Sequence, residues 1–239
     1  MNLIIIGVDK NMSRIFANMS EAINEIERDI AEMGIQVHSN SMQNKNVTDD
    51  PNFDTLELQN YTFSILDMSD KDNCIENQEW CKNEFNERIY KGIVNPGDAW
   101  KLRANVWEPF LNETEQFDYT YNERINAIGQ LECVIRELQR NPDSRQAVIT
   151  IYTVSDCINF GGKSRIPCSM YYQFLIRNEK IDVIYNMRSS DFDTHFKNDI
   201  WLADELRNYI GKQINVQSGK FMMNVGSLHR YRNYTKHVF

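Results

Sequence analysis

The sequence predicts an α+β fold, a mostly antiparallel sheet with helices packed against it. Three observations carry this. SMYYQFLIR (169–177) and IDVIYNMR (181–188) are two β-branched and aromatic runs separated by the short polar turn NEK, the pattern of paired strands. RINAIGQLECVIRELQRN (124–141) sets Ile125, Ile128, Leu131, Val134, Ile135 and Leu138 at helical spacing, one apolar stripe on a polar cylinder. The strand and helix signals follow one another without internal repeat, low-complexity tract or linker, as expected of one α+β unit spanning 1–239.

The remaining elements follow in order. MNLIIIGVDK (1–10) reads as a strand. Its apolar stretch is short and lacks a basic start and a cleavage site, so it is not a signal peptide. MSEAINEIERDIAEMG (19–34) is a helix with a Gly stop, 38–54 a polar loop, and TLELQNYTFSIL (55–66) an alternating strand. Residues 74–91 are polar and helical, closing at Gly92. AVITIYTV (147–154) is a strand, IWLADELRNYIG (200–211) a helix with a Gly stop, and KFMMNVGSLHRYRNY a closing strand and turn.

Composition excludes several function classes. A net charge of −8 and a pI near 5.1 argue against a nucleic-acid binder, which needs a basic face. No run of eighteen apolar residues occurs, so no membrane span is expected. Five cysteines (Cys74, Cys81, Cys133, Cys157, Cys168), odd in number and without a CxxC, argue against a disulfide framework or zinc site and point to a reducing cytoplasm.

Three constellations carry chemistry, each with a plain structural alternative. In RIPCSMYYQF, Cys168 stands after a proline at a strand entrance. It is either a buried small hydrophobe or a nucleophile whose thiol is lowered by Arg165, Arg145 or Arg188. In NPDSRQA, Arg145 follows a helix end, complementing its dipole or clamping a phosphate bidentately. Arg188 and Ser189 in MRSSD repeat that Arg/Ser theme at another strand–loop junction. In GSLHRY, His229 and Tyr231 share one side of an extended segment, as a structural pair or as partners of a sugar hydroxyl.

Taken in order, YTYNERI (119–125), NPDSRQAVITIYT (141–153), IPCSMYYQFLI (166–176), VIYNMRSSD (183–191), FKNDIWLADEL (196–206) and VGSLHRY (225–231) resemble the thymidylate synthase superfamily. The resemblance covers roughly residues 100–232. It implies an α+β fold whose sheets pack back to back in a homodimer. It implies a pyrimidine nucleoside monophosphate as substrate and 5,10-methylenetetrahydrofolate as co-substrate. Cys168 is then the thiolate that adds to carbon 6 of the pyrimidine. Arg188 and Ser189 hold the phosphate, and Arg145 reaches the partner's phosphate across the dimer. Gln173 lies near the cysteine, His229 and Tyr231 bond the deoxyribose hydroxyl, and Asp191 belongs to the folate-side water network. The catalytic glutamate is expected a little over twenty residues before Val106–Trp107, which points to Glu84, with Glu79 the alternative. Two departures stand out: Gln146 where the synthases carry a second arginine, and Ser169 where they commonly carry histidine.

A third departure concerns the base. Uracil-using members carry an asparagine eleven residues after the RSxD arginine, a side chain that donates and accepts. Here the position is Asp199. A carboxylate only accepts, as the C4 amine of cytosine requires. The alternative is a helix N-cap ahead of IWLADEL. The resemblance associates this departure with deoxycytidylate hydroxymethylases such as those of T-even-type phages, in which water rather than hydride completes the reaction. The chain runs only eight residues past Tyr231, where synthases continue into a segment that closes over folate; this fits hydration over reduction. The other readings are a methylase or hydroxymethylase of dUMP or CMP, and a nucleotide-binding relative without catalysis.

Overall fold

The computed structural model describes residues 13–42, 45–48, 50–159 and 165–232; the strand expected over 1–10 lies outside them. The chain alternates strands β1 (Arg14–Asn18), β2 (Ile35–Val37), β3 (Ser41–Met42), β4 (Lys45–Asn46), β5 (Thr55–Asp67), β6 (Val148–Thr150), β7 (Ser169–Arg177), β8 (Lys180–Asp191) and β9 (Gln217–Tyr231) with helices. The α-helices are α1 (Met19–Met33), α2 (Gln78–Ile89), α3 (Ala104–Trp107), α4 (Tyr121–Asn126), α5 (Gln130–Arg140) and α6 (Lys197–Ile214).

Seven strands form one sheet in the order β1-β5-β9-β8-β7-β6, with β2 also on β5. The sheet is mixed and mostly antiparallel, as expected: four of its six strand pairs are antiparallel, while β1–β5 and β8–β9 run parallel. The parallel β8–β9 pair follows from what joins them. α6 crosses back over the sheet between the two strands, and a crossover of that length returns the chain in the same direction. The two long strands therefore end side by side, which sets Ser189 opposite Ser227 and Asp191 opposite His229.

α1 starts on Asn18, whose side chain accepts from the Glu21 amide, the usual N-cap geometry. Ala22, Ile23, Ile26 and Ile30 bury its inner face. α6 packs Ile200, Ala203, Leu206 and Ile210 into the same core as Val183, Tyr185, Phe221 and Met223 from β8 and β9. The helix does not stop at Gly211. It runs to Ile214 and ends on Asn215, which takes the left-handed conformation (φ 57°). Gly211 serves close packing instead, because a Cβ there would lie 2.7 Å from the Val216 carbonyl oxygen.

The single helix expected over 124–141 is two. α4 opens on a capping box between Thr120 and Glu123. The chain then breaks at Ile128 (φ 47°) and Gly129 (φ 72°) before α5 begins. Ile128 accordingly leaves the apolar stripe and is 98% exposed. The strand expected over 147–154 covers only Val148–Thr150 and gives way to a 3-10 turn, Val154–Asn159.

Candidate functional site

A cavity of about 790 Å³ opens where the C-terminal ends of β8 and β9 meet α2, α4 and the segment leading into β7. Of the ten residues singled out from the sequence, eight line it: Glu84, Cys168, Arg188, Ser189, Asp191, Asp199, His229 and Tyr231. Arg145 and Gln173 do not. Arg145 is exposed just before β6, and its carbonyl accepts from Gln173 Nε2 at 2.9 Å. On β7, Tyr172 and Phe174 are buried while Gln173 between them is half-buried. Strand alternation thus turns Gln173 to the other face of the sheet, away from the cysteine it was expected to accompany.

Cys168 immediately precedes β7, and its position is set by Arg188 from the neighbouring strand. The Arg188 amide donates to the Cys168 carbonyl at 2.9 Å. Its side chain donates from Nε to Pro167 O and from Nη2 to Ile166 O, both at 2.9 Å, and Nη2 lies 3.7 Å from the Cys168 sulfur. Burial pushes the Cys168 thiol above its ordinary value, against the pull of Arg188 and Arg165. The lowered thiol expected of a free nucleophile is therefore not found. The two cations offset only part of the cost of an anion in this wall.

One wall is aromatic. Trp80 and Trp107 stack at 6.2 Å and 16°. The Arg165 guanidinium covers Phe110 at 4.4 Å and Trp107 at 5.0 Å, a cation–π arrangement. His195 rests on Trp107 at 5.4 Å. Burial, followed by Arg103 and Arg165, pushes His195 down to about 3, so it is a neutral imidazole at physiological pH.

The opposite side carries the polar groups of β9 and its neighbours. His229 and Tyr231 meet edge to face at 5.6 Å and both face the cavity. Asp191 is buried, and Oδ1 accepts from the Asp193 and Thr194 amides at 3.1 and 3.3 Å. Burial raises its carboxyl, opposed by its hydrogen bonds from Thr194 and Asp193 and by His229.

The floor is built from α2, α4 and the start of α6. Asp199 is not the N-cap of α6; the helix begins at Lys197, which puts Asp199 in the first turn. Its one hydrogen bond among the described residues comes from Ser190 Oγ, at 3.4 Å. Burial pushes Asp199 up to about 7, against Arg88 and the Ser190 bond. Glu84 faces the same cavity and accepts from Arg88 Nε at 2.8 Å. The alternative glutamate, Glu79, is exposed and outside the wall. Tyr121 OH and Ser169 Oγ share a hydrogen bond at 3.0 Å, and Ser169 Oγ pairs in turn with Tyr185 OH.

The roles of Arg88 and Tyr121 and the stacked Trp80–Trp107 wall were not anticipated, and Arg165 was expected only as a cation beside Cys168. QEWCKNEFNERI has almost no apolar periodicity, so nothing in it marks Arg88 as buried. The signal available was the aromatic density of 100–121, which a pattern search for strands and helices passes over.

Together the groups form a mouth with a tethered arginine, a thiol, a flat aromatic wall and two carboxylates on the floor. That arrangement suits a flat, polar heterocycle with an anionic tail, held against a nucleophile. Among the described residues no group of acidic, His and Cys side chains is placed to hold a metal ion, and no helix is long and apolar enough to cross a membrane.

Comparison with known proteins agrees with the architecture. A family model described as thymidylate synthase matches residues 89–239. The deoxycytidylate 5-hydroxymethyltransferase of Enterobacteria phage T4 is 30% identical over 166 residues, covering 64% of each chain. The thymidylate synthase of Baumannia cicadellinicola is 26% identical over 153 residues, covering 61% of this chain and 57% of its own length. The chain thus spans less than two thirds of these curated relatives. Among solved structures, phage T4 thymidylate synthase superposes with a TM-score of 0.66 at 18% identity, over 91% of this chain and 78% of that one. Thymidylate synthase A of Bacillus subtilis gives 0.65 at 15% identity, over 90% and 80%; both share the fold.

Proposed function

Because this chain belongs to the thymidylate synthase family, we propose that it is a folate-dependent dCMP 5-hydroxymethylase, converting dCMP to 5-hydroxymethyl-dCMP. The observation that carries the reading is Asp199. Its carboxyl faces the cavity with a single long hydrogen bond, free to meet a base. Cytosine offers an amine at carbon 4 and a ring nitrogen beside it. A carboxylate accepts from that amine, and the ring nitrogen, protonated in the covalent intermediate, supplies a second donor. Uracil would set its carbonyl oxygen against the carboxylate and leave buried acceptors unpaired, which a built site rejects strongly.

The other residues have roles consistent with this. Arg188 and Ser189 at the mouth meet the phosphate, and His229 with Tyr231 meets the sugar hydroxyl. The Cys168 thiol loses its proton and its sulfur bonds carbon 6 of the ring. Because burial raises that thiol, the anion forms only as the ring is attacked, with Arg188 and Arg165 beside it. Carbon 5, made nucleophilic, takes up the one-carbon unit. Glu84 exchanges protons with the ring edge, and Tyr121, on the cavity wall, assists removal of the carbon 5 proton. Water then adds to the exocyclic methylene on the ring, the carbon 6–sulfur bond breaks, and the thiol is restored. 5,10-Methylenetetrahydrofolate supplies the carbon and leaves as tetrahydrofolate. The Trp80–Trp107 wall and the cavity volume fit its flat ring beside a nucleotide. Asp191 borders that region.

Arg145 is exposed on the segment entering β6 and lies outside the wall of its own cavity, and its proposed role is to reach the phosphate of a second copy in a homodimer. The test is incubation with dCMP, dUMP and CMP, each with methylenetetrahydrofolate, followed by mass analysis. Hydroxymethylated dCMP and tetrahydrofolate are expected. Methylated dUMP with dihydrofolate, and no dCMP product, overturns the reading.

A further inference from the structure

Arg88 is the feature of this cavity that the roles above do not use. It sits in the last turn of α2, 5% exposed, yet it lines the cavity. Its guanidinium lies over the Tyr121 ring at 4.0 Å, and Nε donates to Glu84 one turn earlier at 2.8 Å. Its backbone is pinned from α4: Asn126 Nδ2 donates to the Arg88 carbonyl at 3.0 Å, and Asn122 Nδ2 donates to the flanking Glu87 and Tyr90 carbonyls. A cation is thus built into the floor at a fixed place.

The reason lies in the neighbours. Glu84 and Asp199 face one cavity from α2 and α6, whose packing is marked by Cys81 Sγ donating to Asn198 Oδ1 at 3.4 Å. Two carboxylates in one desolvated pocket resist joint ionisation unless a cation stands with them. The other titratable groups around Asp199 are Arg103, placed before α3, the thiols Cys81 and Cys168, and the phenols Tyr121, Tyr172 and Tyr185. Arg103 is also engaged by other groups: Nη2 donates to the Thr194 carbonyl at 3.0 Å and its guanidinium lies over Trp80 at 4.8 Å.

We propose that Arg88 is a specificity-positioning residue: the buried counter-cation, shared by Glu84 and Asp199, that holds Asp199 as a hydrogen-bond acceptor. It acts through Asp199 and does not itself touch the base. Without it Asp199 holds a proton, gains a donor, and accommodates the carbonyl oxygen of uracil. The base preference rests on the cytosine reading above; the Arg88–Asp199 coupling does not.

The experiment is a double-mutant cycle of Arg88→Met and Asp199→Asn, with Arg88→Lys as the charge-preserving variant. Two readouts are taken: equilibrium binding of dCMP and dUMP, and Tm without nucleotide. Arg88→Met is expected to narrow the dCMP-over-dUMP preference at least fivefold, Arg88→Lys to retain it, and Arg88→Met to change nothing further in Asp199→Asn. Its loss in Tm should be at least halved in the Asp199→Asn background. An unchanged preference, or equal Tm losses in both backgrounds, overturns the proposal. If neither nucleotide binds the unmutated protein, the functional reading fails and the Tm cycle alone decides the coupling. If Arg88→Met does not fold alone, its recovery by Asp199→Asn supports the proposal, and failure of both overturns it.

Discussion

The Arg188 guanidinium stands 3.7 Å from the Cys168 sulfur while it is also tied to the carbonyls of Ile166 and Pro167. One side chain thereby fixes the cysteine segment and lowers the cost of a thiolate. Arg188→Gln removes the cation, so the Cys168 thiol, already raised by burial, should rise further. Iodoacetamide alkylation against pH, followed by peptide mapping to separate Cys168 from exposed Cys133 and Cys157, reports it. The midpoint moves to higher pH if the cation matters. A midpoint that stays put shows that Arg188 acts only as a tether.

Asp199→Asn restores a side chain that both donates and accepts. The ratio of kcat/KM for dCMP to that for dUMP should fall by roughly two orders of magnitude or more, because each base then meets a different set of unpaired groups. Competition between the two nucleotides in one reaction measures the ratio directly. An unchanged ratio removes Asp199 from base recognition.

The same substitution has a consequence for stability. Burial pushes Asp199 up to about 7 from an ordinary aspartate value. Between those values the folded protein holds a proton that the unfolded chain has lost, so stability falls as pH rises through that window. The cost is absent below about pH 4 and complete above about pH 7, on the order of 2–4 kcal/mol for a group that keeps some contact with the cavity. Asparagine carries no such penalty. Asp199→Asn should therefore match the parent in Tm near pH 4 and exceed it at pH 8, trading specificity for stability. A difference in Tm that does not widen with pH contradicts the assignment of the raised carboxyl.

How much of this was legible in the sequence depended on the kind of signal. β7 and β8 were readable because β-branched and aromatic residues cluster around a short turn. Cys168, Arg188, His229 and Tyr231 were readable because each sits in a short motif whose order matches the family. Gln173 was placed near the cysteine by the family resemblance, but strand alternation turns it to the other face. Parallel pairing of β8 with β9 could not be read from either strand; it follows from the path of α6. Arg88 was invisible because its burial depends on Tyr121 and Glu84, one from another helix and one from a helix without an apolar face.

The break between α4 and α5 shows the same limit in one residue. Ile128 falls on the apolar stripe by count, yet it adopts φ 47° and is 98% exposed. A β-branched residue in the left-handed region is strained by about 1–2 kcal/mol, and here no packing compensates, because the side chain buries almost nothing. Asparagine tolerates that conformation and glycine is free of the steric cost. Ile128→Asn should stabilise the protein by about 1 kcal/mol and raise Tm by roughly 2–4 °C. Ile128→Gly should gain less, since its unfolded chain is more flexible. Ile128→Pro should lose stability, because the ring fixes φ near −65°. Thermal unfolding of the three variants, followed by circular dichroism, tests the order. If asparagine gives no gain, the left-handed break is not the conformation held in solution.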